Sequence, residues 1–408
     1  MKILLVNHYA GSMAHGMEYR PYYLAREWMK MGHEVTVVAA SYSHVRTKQP
    51  NLQTGGIEII DGIKYYWLPT PSYKGNGVKR VVNILYFIWG LYRLLPQIMK
   101  GVDKVIASST HPFDVFPLSR YSKKFGADFI FELHDLWPLS LIQLGGMSRF
   151  HPFVLLVQIA EYAAYRRAKY VVSILPLIQE HAAKMGFKKK ISVVPNGIVV
   201  DDWKITKRKL SAPIESFLKK EKIKKSKIVC YAGAHGVANH LDTLIEAAGY
   251  LYKEKVHILL IGDGPEKEAL VARSKQLNLS NLTFMEPVPK AELVYLLDMI
   301  DIAYISLQKQ DLFKYGISPN KIMDYMMAAK PVLAAVVAGN DLVRTSGGGL
   351  SVDPDNPEEI ADAIKLLCGK SEKELKTMGS NSKKYVLKHH DYKVLAKNFI
   401  DAIGDSGR

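Results

Sequence analysis

Cysteine is nearly absent: Cys230 and Cys368 are the two in 408 residues. That excludes a disulfide scaffold and a zinc site built from cysteines, and it fits a reducing compartment. Long hydrophobic runs are missing as well. No uninterrupted apolar stretch reaches the roughly 18 residues of a spanning helix, which argues against a transmembrane segment. The chain opens Met1-Lys2 and passes through Ile3-Leu4-Leu5-Val6 straight into Asn7-His8, an apolar region too short for a secretory signal. A G-x-G-x-x-G dinucleotide fingerprint and a G-x-x-x-x-G-K-[ST] phosphate loop are both lacking, so NAD-enzyme and P-loop readings lose ground. There is no low-complexity tract and no short-period repeat. Acidic residues are outnumbered: 55 Lys and Arg against 39 Asp and Glu leave a net charge of +16. Such an excess suits an anionic partner. Nucleic acid is set aside, because the basic residues come without a recognition motif or an aromatic stacking platform.

What is present describes a folded α/β protein, 48% hydrophobic and 23% charged. Lys2–Val6 reads as a buried strand, Tyr19–Met31 as a helix stopped by Gly32, and Glu34–Ala40 as the next strand, a βαβ opening. Strand patterns recur at 104–107, 128–132 and 170–173. Residues 204–227 carry ten Lys/Arg against Glu215 and Glu221, read as a solvated linker and helix face. A second series of strands and helices begins at Ile228. The expected organisation is therefore a first α/β domain over residues 1–200, a basic linker at 201–227, a second α/β domain over 228–390 and a terminal helix in 391–408.

The closest approach to a long apolar run is 81–92 (VVNILYFIWGLY), bracketed by Lys79-Arg80 and Arg93. It reads either as a core helix or as an amphipathic face at a membrane surface, and the +16 balance favours the second.

Several loops can hold anions. Gly233 and Gly236, with His235, lie after a strand and before a helix; Gly262 and Gly264 end another buried strand. Glycine lets backbone approach a ligand, and a helix start offers free N–H groups to phosphate. The segment 316–332 (GISPNKIMDYMMAAKPV) is the most informative. Ser318 is placed to cap a helix with Pro319 at its first position, leaving the N–H groups of Asn320, Lys321 and Ile322 for an anion. Asp324 lies one turn beyond Asn320 on the same face, where a carboxylate can accept from vicinal sugar hydroxyls. A capped packing helix is the plainer alternative.

In order, the opening NHYAGSMAHGMEYRPYYLAREWMKMGHEVTVV, then YAGAHGVANHLDTLIEAA, IGDGPE and SPNKIMDYMMAAKPVL resemble the retaining glycosyltransferases of family 4, with the GT-B fold. The closest branch is the one that builds O-antigen, capsule and colanic-acid-type polysaccharides, amino-sugar transferases included. The resemblance implies two Rossmann-like α/β domains facing across a cleft. The first would bind a lipid-linked or polysaccharide acceptor. The second would bind a nucleotide-diphosphate sugar, expected to be a UDP-sugar, and the last helix would cross back to the first domain. Asn320 and Lys321 match positions that contact the diphosphate. Asp324 matches the second glutamate of the family's E-x₇-E motif, which holds the ribose, whereas Gly316 stands where the first glutamate is expected. The Gly233 loop offers Ala234, His235, Asn239 and His240 in place of the usual Arg and Lys. Lys314 or Lys321 is the candidate replacement charge, Lys309 less so. His134, after Glu132-Leu133, matches a cleft histidine close to the transferring sugar. Asp135 is read as orienting it or meeting the acceptor, His111 as a second cleft candidate, and Glu18 and Arg20 as acceptor contacts.

The implied reaction is glycosyl transfer with retention in cell-surface polysaccharide synthesis, at the inner face of the plasma membrane, with the departing diphosphate stabilised electrostatically. No cofactor or metal is expected: Asp353-Pro354-Asp355 has D-x-D spacing but reads as a turn into a helix. Two rivals stay open, a GT-B sugar-nucleotide epimerase and a non-catalytic carbohydrate- or lipid-binding protein with a degenerate transferase fold.

Overall fold

Short β-branched runs punctuated by glycine and capped helices give two doubly wound units. The computed structural model describes residues 1–51, 55–75, 77–204 and 210–404. The first unit is Met1–Asn196 with Tyr392–Arg408, and the second is Gly197–Asp391.

The first unit is built on β1 (Lys2–Val6), β2 (Glu34–Ala40), β3 (Gly56–Ile60), β4 (Ile63–Leu68), β5 (Lys104–Ala107), β6 (Asp128–Leu133), β7 (Tyr170–Ser173) and β8 (Ser192–Val193). Their order is β3-β4-β2-β1-β5-β6-β7-β8, parallel except for the β3–β4 hairpin. Strand succession reverses between β1 and β5, where Leu4 lies between Thr36 and Val105. In an open parallel sheet, such a reversal leaves a crevice at the carboxyl ends of the two strands. His8 and Tyr9 follow β1 there, and Ser108 to His111 follow β5. The Tyr392–Ala402 helix packs on the Arg20–Lys30 helix. Trp28 Nε1 donates to the Ala396 carbonyl (3.1 Å), the Trp28 and Phe399 rings lie 5.1 Å apart, and Lys104 Nζ donates to the Ile403 carbonyl (2.8 Å).

The second unit carries β9 (Lys227–Ala232), β10 (Val256–Ile261), β11 (Leu282–Met285), β12 (Ile302–Ser306), β13 (Val332–Ala335) and β14 (Gly349–Val352). They are all parallel, in the order β11-β10-β9-β12-β13-β14. Both faces are covered, which is why these strands read as continuous apolar runs. Ile228 and Cys230 of β9 face one buried cluster, and Val229 and Tyr231 face the other. The reversal here falls between β9 and β12, placing the Gly233 loop at the crevice.

Two boundaries differ from those read in the sequence. The chain leaves the first unit after Asn196, and its basic stretch does not lie between domains. Residues 205–209 are outside the described residues, but Ala212–Ile223 is a helix that buries Ile214 and Leu218 in the second unit's core. The stretch is basic because only one face of that helix is apolar.

The apolar run at 81–92 lies within the Val78–Ile98 helix. By length and composition alone it could cross a membrane, although charges and polar residues interrupt its apolar run. Its Asn83, Ile84, Phe87, Leu91 and Leu95 stripe is buried in the first unit, so only the opposite face is exposed. A spanning helix is apolar all round.

Candidate functional site

In the second unit, Lys321 is the second residue of the Asn320–Met327 helix, and its side chain runs back to the Gly233 loop. Nζ donates to the Tyr231 hydroxyl (2.5 Å) and to Asn239 Oδ1 (3.2 Å), and lies 4.1 Å from the Tyr231 ring centre. A side chain on Gly233 would come within 2.7 Å of that nitrogen. Among the described residues no carboxylate pairs with it. Burial pushes the ammonium down to about 8, so it is charged at neutral pH and its neighbours are neutral oxygens. Lys321 thus fills the place where the loop has no Arg or Lys of its own. Lys314 is exposed, its Nζ 5.3 Å from the Tyr315 ring, and Lys309 is held by Asp353 at 2.9 Å.

Asp324 is buried on the same helix, and burial raises its pKa, with Lys290 at 3.4 Å pulling the other way. Asn320 is exposed at the helix start. Ile322 presents its backbone there while its side chain is in the core. Ser318 does not hold the cap position of this helix as expected: Pro319 does, and a proline side chain cannot accept from the first turn. Pro319 has an extended ψ of 130°, so the helix begins one residue later than read. Gly316 has φ +97°, and its N–H donates to the Phe313 carbonyl (2.9 Å). Ile317 is bracketed by Asn340, which accepts from its N–H at 2.7 Å and donates to its carbonyl at 3.0 Å.

The glycines bring three loops together. A Cβ on Gly262 would overlap the Gly233 carbonyl, and one on Gly264 would overlap the His235 carbonyl. Gly236 accepts from Asn239 N–H and starts the short turn 237–239. His235 lies underneath this assembly, fully buried against Tyr231 and Phe284 with both ring nitrogens unpartnered, and burial lowers its pKa. The D-x-D pair is engaged: Asp353 by Lys309 and by Asp355 N–H, and Asp355 by His240 at 3.0 Å.

In the first unit, His134 follows β6. Its Nε2 lies 3.0 Å from Glu132 Oε2, which also accepts from Ser108 Oγ at 2.6 Å. An ionised carboxylate only accepts, so Nε2 carries a proton, and in the neutral imidazole Nδ1 is the lone-pair nitrogen. Glu132 is itself fully buried. Burial raises its pKa, but Arg20, with His134 and Ser108, overcomes that and holds it well below the usual carboxylate range. Arg20 Nε (2.9 Å) and Nη2 (2.8 Å) both meet Glu132 Oε1, and its remaining donors take the Pro195 and Val194 carbonyls. Arg20 is therefore a buried strut, not the acceptor contact the opening loop suggested.

Asp135 turns away from His134. It accepts from Leu136 N–H (2.7 Å), Trp137 Nε1 (3.2 Å) and Ser140 Oγ, tying the 135–140 turn, so Glu132 and not Asp135 orients the histidine. His111 is fully buried beside His8. Asn83 donates its amide to Pro71 O, so its carbonyl faces His8 and must accept from His8 Nε2 (2.6 Å). His8 Nδ1 then accepts from His111 Nε2 (2.6 Å), and His111 Nδ1 has no partner. Burial lowers both imidazoles, His111 to about 3.

Sequence reading missed Glu132, Ser108, Tyr231 and Lys290. Only Glu132 carried a signal, as a carboxylate inside the apolar strand DFIFEL.

Residues 14–202 match the family described as Glycosyltransferase Family 4, and residues 226–370 match Glycosyl transferases group 1. The chain belongs to the family 4 glycosyltransferases. A relative from Pseudomonas aeruginosa, the probable glycosyltransferase WbjE, is 23% identical over 278 residues, 65% of this chain and 66% of that protein's own length. Anabaena HepE, solved with UDP and glucose, superposes on this transferase with TM-score 0.69 at 16% identity, covering 99% of both chains. WaaG, a glycosyltransferase involved in lipopolysaccharide biosynthesis, gives 0.66 at 15%, covering 100% of both. These likenesses establish the GT-B fold along the whole chain.

Proposed function

We propose that this transferase moves a sugar, N-acetylated amino sugars included, from a UDP-sugar to a lipid-linked or polysaccharide acceptor in cell-surface polysaccharide synthesis, with retention of anomeric configuration. The observation that carries the reading is the largely buried Lys321 ammonium beside the Gly233 loop, with no carboxylate among the described residues to answer it. A diphosphate supplies that missing charge. As the sugar leaves, negative charge grows on the departing oxygen. Lys321 and the N–H groups at the start of the Asn320–Met327 helix stabilise it, in surroundings that need no reorganisation.

Asp324 accepts from the ribose hydroxyls of the donor. Lys290 at 3.4 Å opposes the rise that burial gives that carboxylate's pKa. His134, with its proton fixed on Nε2 by Glu132, offers Nδ1 to a hydroxyl of the transferring sugar or of the acceptor. The acceptor hydroxyl attacks from the side of the leaving phosphate, which takes its proton, so no protein nucleophile is assigned. The reading uses no metal. The UDP in the HepE structure supports the choice of nucleotide, and the WaaG likeness supports the pathway.

The first unit also suits contact with an anionic bilayer from the cytoplasmic side. The Val78–Ile98 helix exposes Val82, Leu85, Tyr86 and Trp89, and the Pro152–Arg167 helix exposes Leu155, Leu156, Ile159 and Tyr162. Arg93 and Arg166 lie on the same helices. Apolar side chains with aromatic and basic neighbours lie in the headgroup boundary.

The test is mass analysis of products from UDP-, GDP- and dTDP-sugars with lipid-linked acceptors, and NMR of the anomeric proton in the product. Asp324→Ala and His134→Ala are each expected to depress transfer. Undiminished transfer in both would sink the site, and an inverted product would sink the stereochemistry.

A further inference from the structure

Arg46 is 5% exposed, and two of its three guanidinium nitrogens, Nε and Nη1, have no hydrogen-bond partner. Nη2 donates to the Ala40 carbonyl (2.5 Å), and the group lies 4.9 Å over Trp67. Among the described residues no carboxylate pairs with it. Glu58, the acidic residue facing the same ring system, is taken by Trp67 Nε1 at 2.7 Å and approached by His15 at 3.7 Å. Buried charges are ordinarily paired, and an uncompensated one is costly enough to push its own pKa. Burial indeed brings Arg46 down to about 10.

A second guanidinium converges on the same place. Arg80, in the first turn of the Val78–Ile98 helix, donates to the Tyr9 hydroxyl (3.0 Å) and lies over the Tyr9 and Trp137 rings. Tyr73 is buried, with its hydroxyl 2.6 Å from His44 Nδ1. Arg80 acts on the Tyr73 hydroxyl and Tyr73 acts on Arg46, while both arginines depress His8. The residues come from the segments after β1, β2 and β4, at the carboxyl edge of the sheet. The place is therefore positive and lined by aromatic hydroxyls, with a buried donor set that the protein leaves unused.

We propose that Arg46 and Arg80, around the Tyr9 and Tyr73 hydroxyls, form an anion subsite of the first unit that takes the phosphate or diphosphate carried by the acceptor. The inference rests on the reading that the first unit holds the acceptor, and it names that acceptor's chemistry. Arg80 and the exposed His44 meet the anion at the surface. Arg46 supplies the uncompensated charge that draws it in, and a diphosphate offers enough oxygens for both guanidinium groups.

The test is calorimetric titration of inorganic pyrophosphate into the full chain, with and without saturating UDP to fill the donor-side phosphate positions. Wild-type protein is expected to bind pyrophosphate in addition to UDP. Arg46→Gln and Arg80→Gln should each weaken that binding roughly tenfold to a hundredfold, with UDP affinity unchanged. Arg80 is only half-buried, so its variant carries the result if Arg46→Gln misfolds. Farnesyl diphosphate, orthophosphate and farnesol form the second arm. Diphosphate-dependent binding strengthened by the farnesyl chain identifies a lipid-linked source, and equal binding of pyrophosphate and farnesyl diphosphate identifies the phosphate group alone. No pyrophosphate binding to UDP-saturated wild type, or undiminished binding in Arg80→Gln, overturns the subsite. Loss of UDP binding in the wild type counts against the donor reading instead, because neither arginine belongs to the second unit.

Discussion

In the first unit, Glu132 and Arg20 are both buried and answer each other through two contacts under 3 Å; in the second, Lys321 is answered, among the described residues, by the oxygens of Tyr231 and Asn239. The difference separates two uses of buried charge. Glu132–Arg20 is complete without a ligand. It fixes the β6 end, the His134 tautomer and the chain at Val194–Pro195, and so works as positioning structure. Lys321 is incomplete, and in the proposed function its missing partner is a ligand's charge. Arg46 belongs with Lys321 on this criterion although it lies in the first unit.

The largest effect should come from breaking the complete pair. Glu132→Gln leaves Arg20 buried without its counter-charge, and the expected loss is about 3–5 kcal/mol of stability, measured by denaturant unfolding. The double variant Glu132→Leu, Arg20→Met should recover part of that loss, because two apolar side chains bury no orphan charge. A double variant as unstable as the single one would contradict the assignment. Lys321→Met should behave oppositely. Stability should hold or rise, while transfer falls by about 10²–10³, read from product formation and UDP calorimetry. A variant with lowered stability and intact transfer would make Lys321 structural. The same lysine gives a pH signature. Its free-state pKa is about 8, and an anion raises it, so UDP affinity is expected to be highest below pH 8 and to fall as pH rises through that value.

The central strands of the first unit, β1, β2, β5, β6 and β7, were legible because each is a short apolar run, while β3, β4 and β8 were not read; the helix carrying Lys321 and Asp324 was legible because proline and the i to i+4 spacing announce it. The charge pairing was not legible. Arg20 meets Glu132 across 112 residues of sequence, and Lys321 meets Tyr231 across 90. Asp135 looked like the natural partner of His134 because it is adjacent, yet the chain bends there after β6 and the 135–140 turn takes up the Asp135 carboxylate. Ser318 looked like a cap because composition favours serine there, but the following proline takes that position. The basic stretch at 204–227 was read by its charge, which says what faces water and nothing about the Ile214 and Leu218 face beneath.

A smaller effect sharpens the contrast within the first unit, between the paired Glu132 and the neutral His8–His111–Asn83 chain. His111 titrates at about 3 when folded and near 6.5 when unfolded, so the unfolded chain takes the proton first as pH falls. Stability contributed by this group is fully present above about pH 6.5 and is lost on the way down to 3. Asp114, buried nearby and raised to about 7, works the other way, holding its proton in the folded state between about pH 4 and 7. His111→Phe should flatten the loss of stability on acidification by about 1.4 kcal/mol per pH unit below pH 6, while Asp114→Asn should steepen it. Denaturant unfolding at half-unit intervals from pH 4.5 to 7.5 measures both, and parallel curves for His111→Phe and wild type would show that His111 does not stay neutral.

The smallest expected effect concerns Gly316, where the second unit departs from its family's first glutamate. The departure is built into the backbone as well as the side chain. With φ +97° and its N–H on the Phe313 carbonyl, the residue occupies a conformation open to glycine and strained for anything with a Cβ. Asn340 holds the next residue on both sides of its peptide group, so the turn cannot relax by sliding along the chain. Gly316→Glu should therefore cost about 1–2 kcal/mol of stability and leave UDP affinity unimproved. Gly316→Ala should cost about as much, because the strain comes from the Cβ and not from the carboxylate. If Gly316→Glu instead tightened UDP binding while Gly316→Ala did not, the turn would have rearranged to present the carboxylate. Lys321 would then be sharing the donor site with a residue this chain had merely lost.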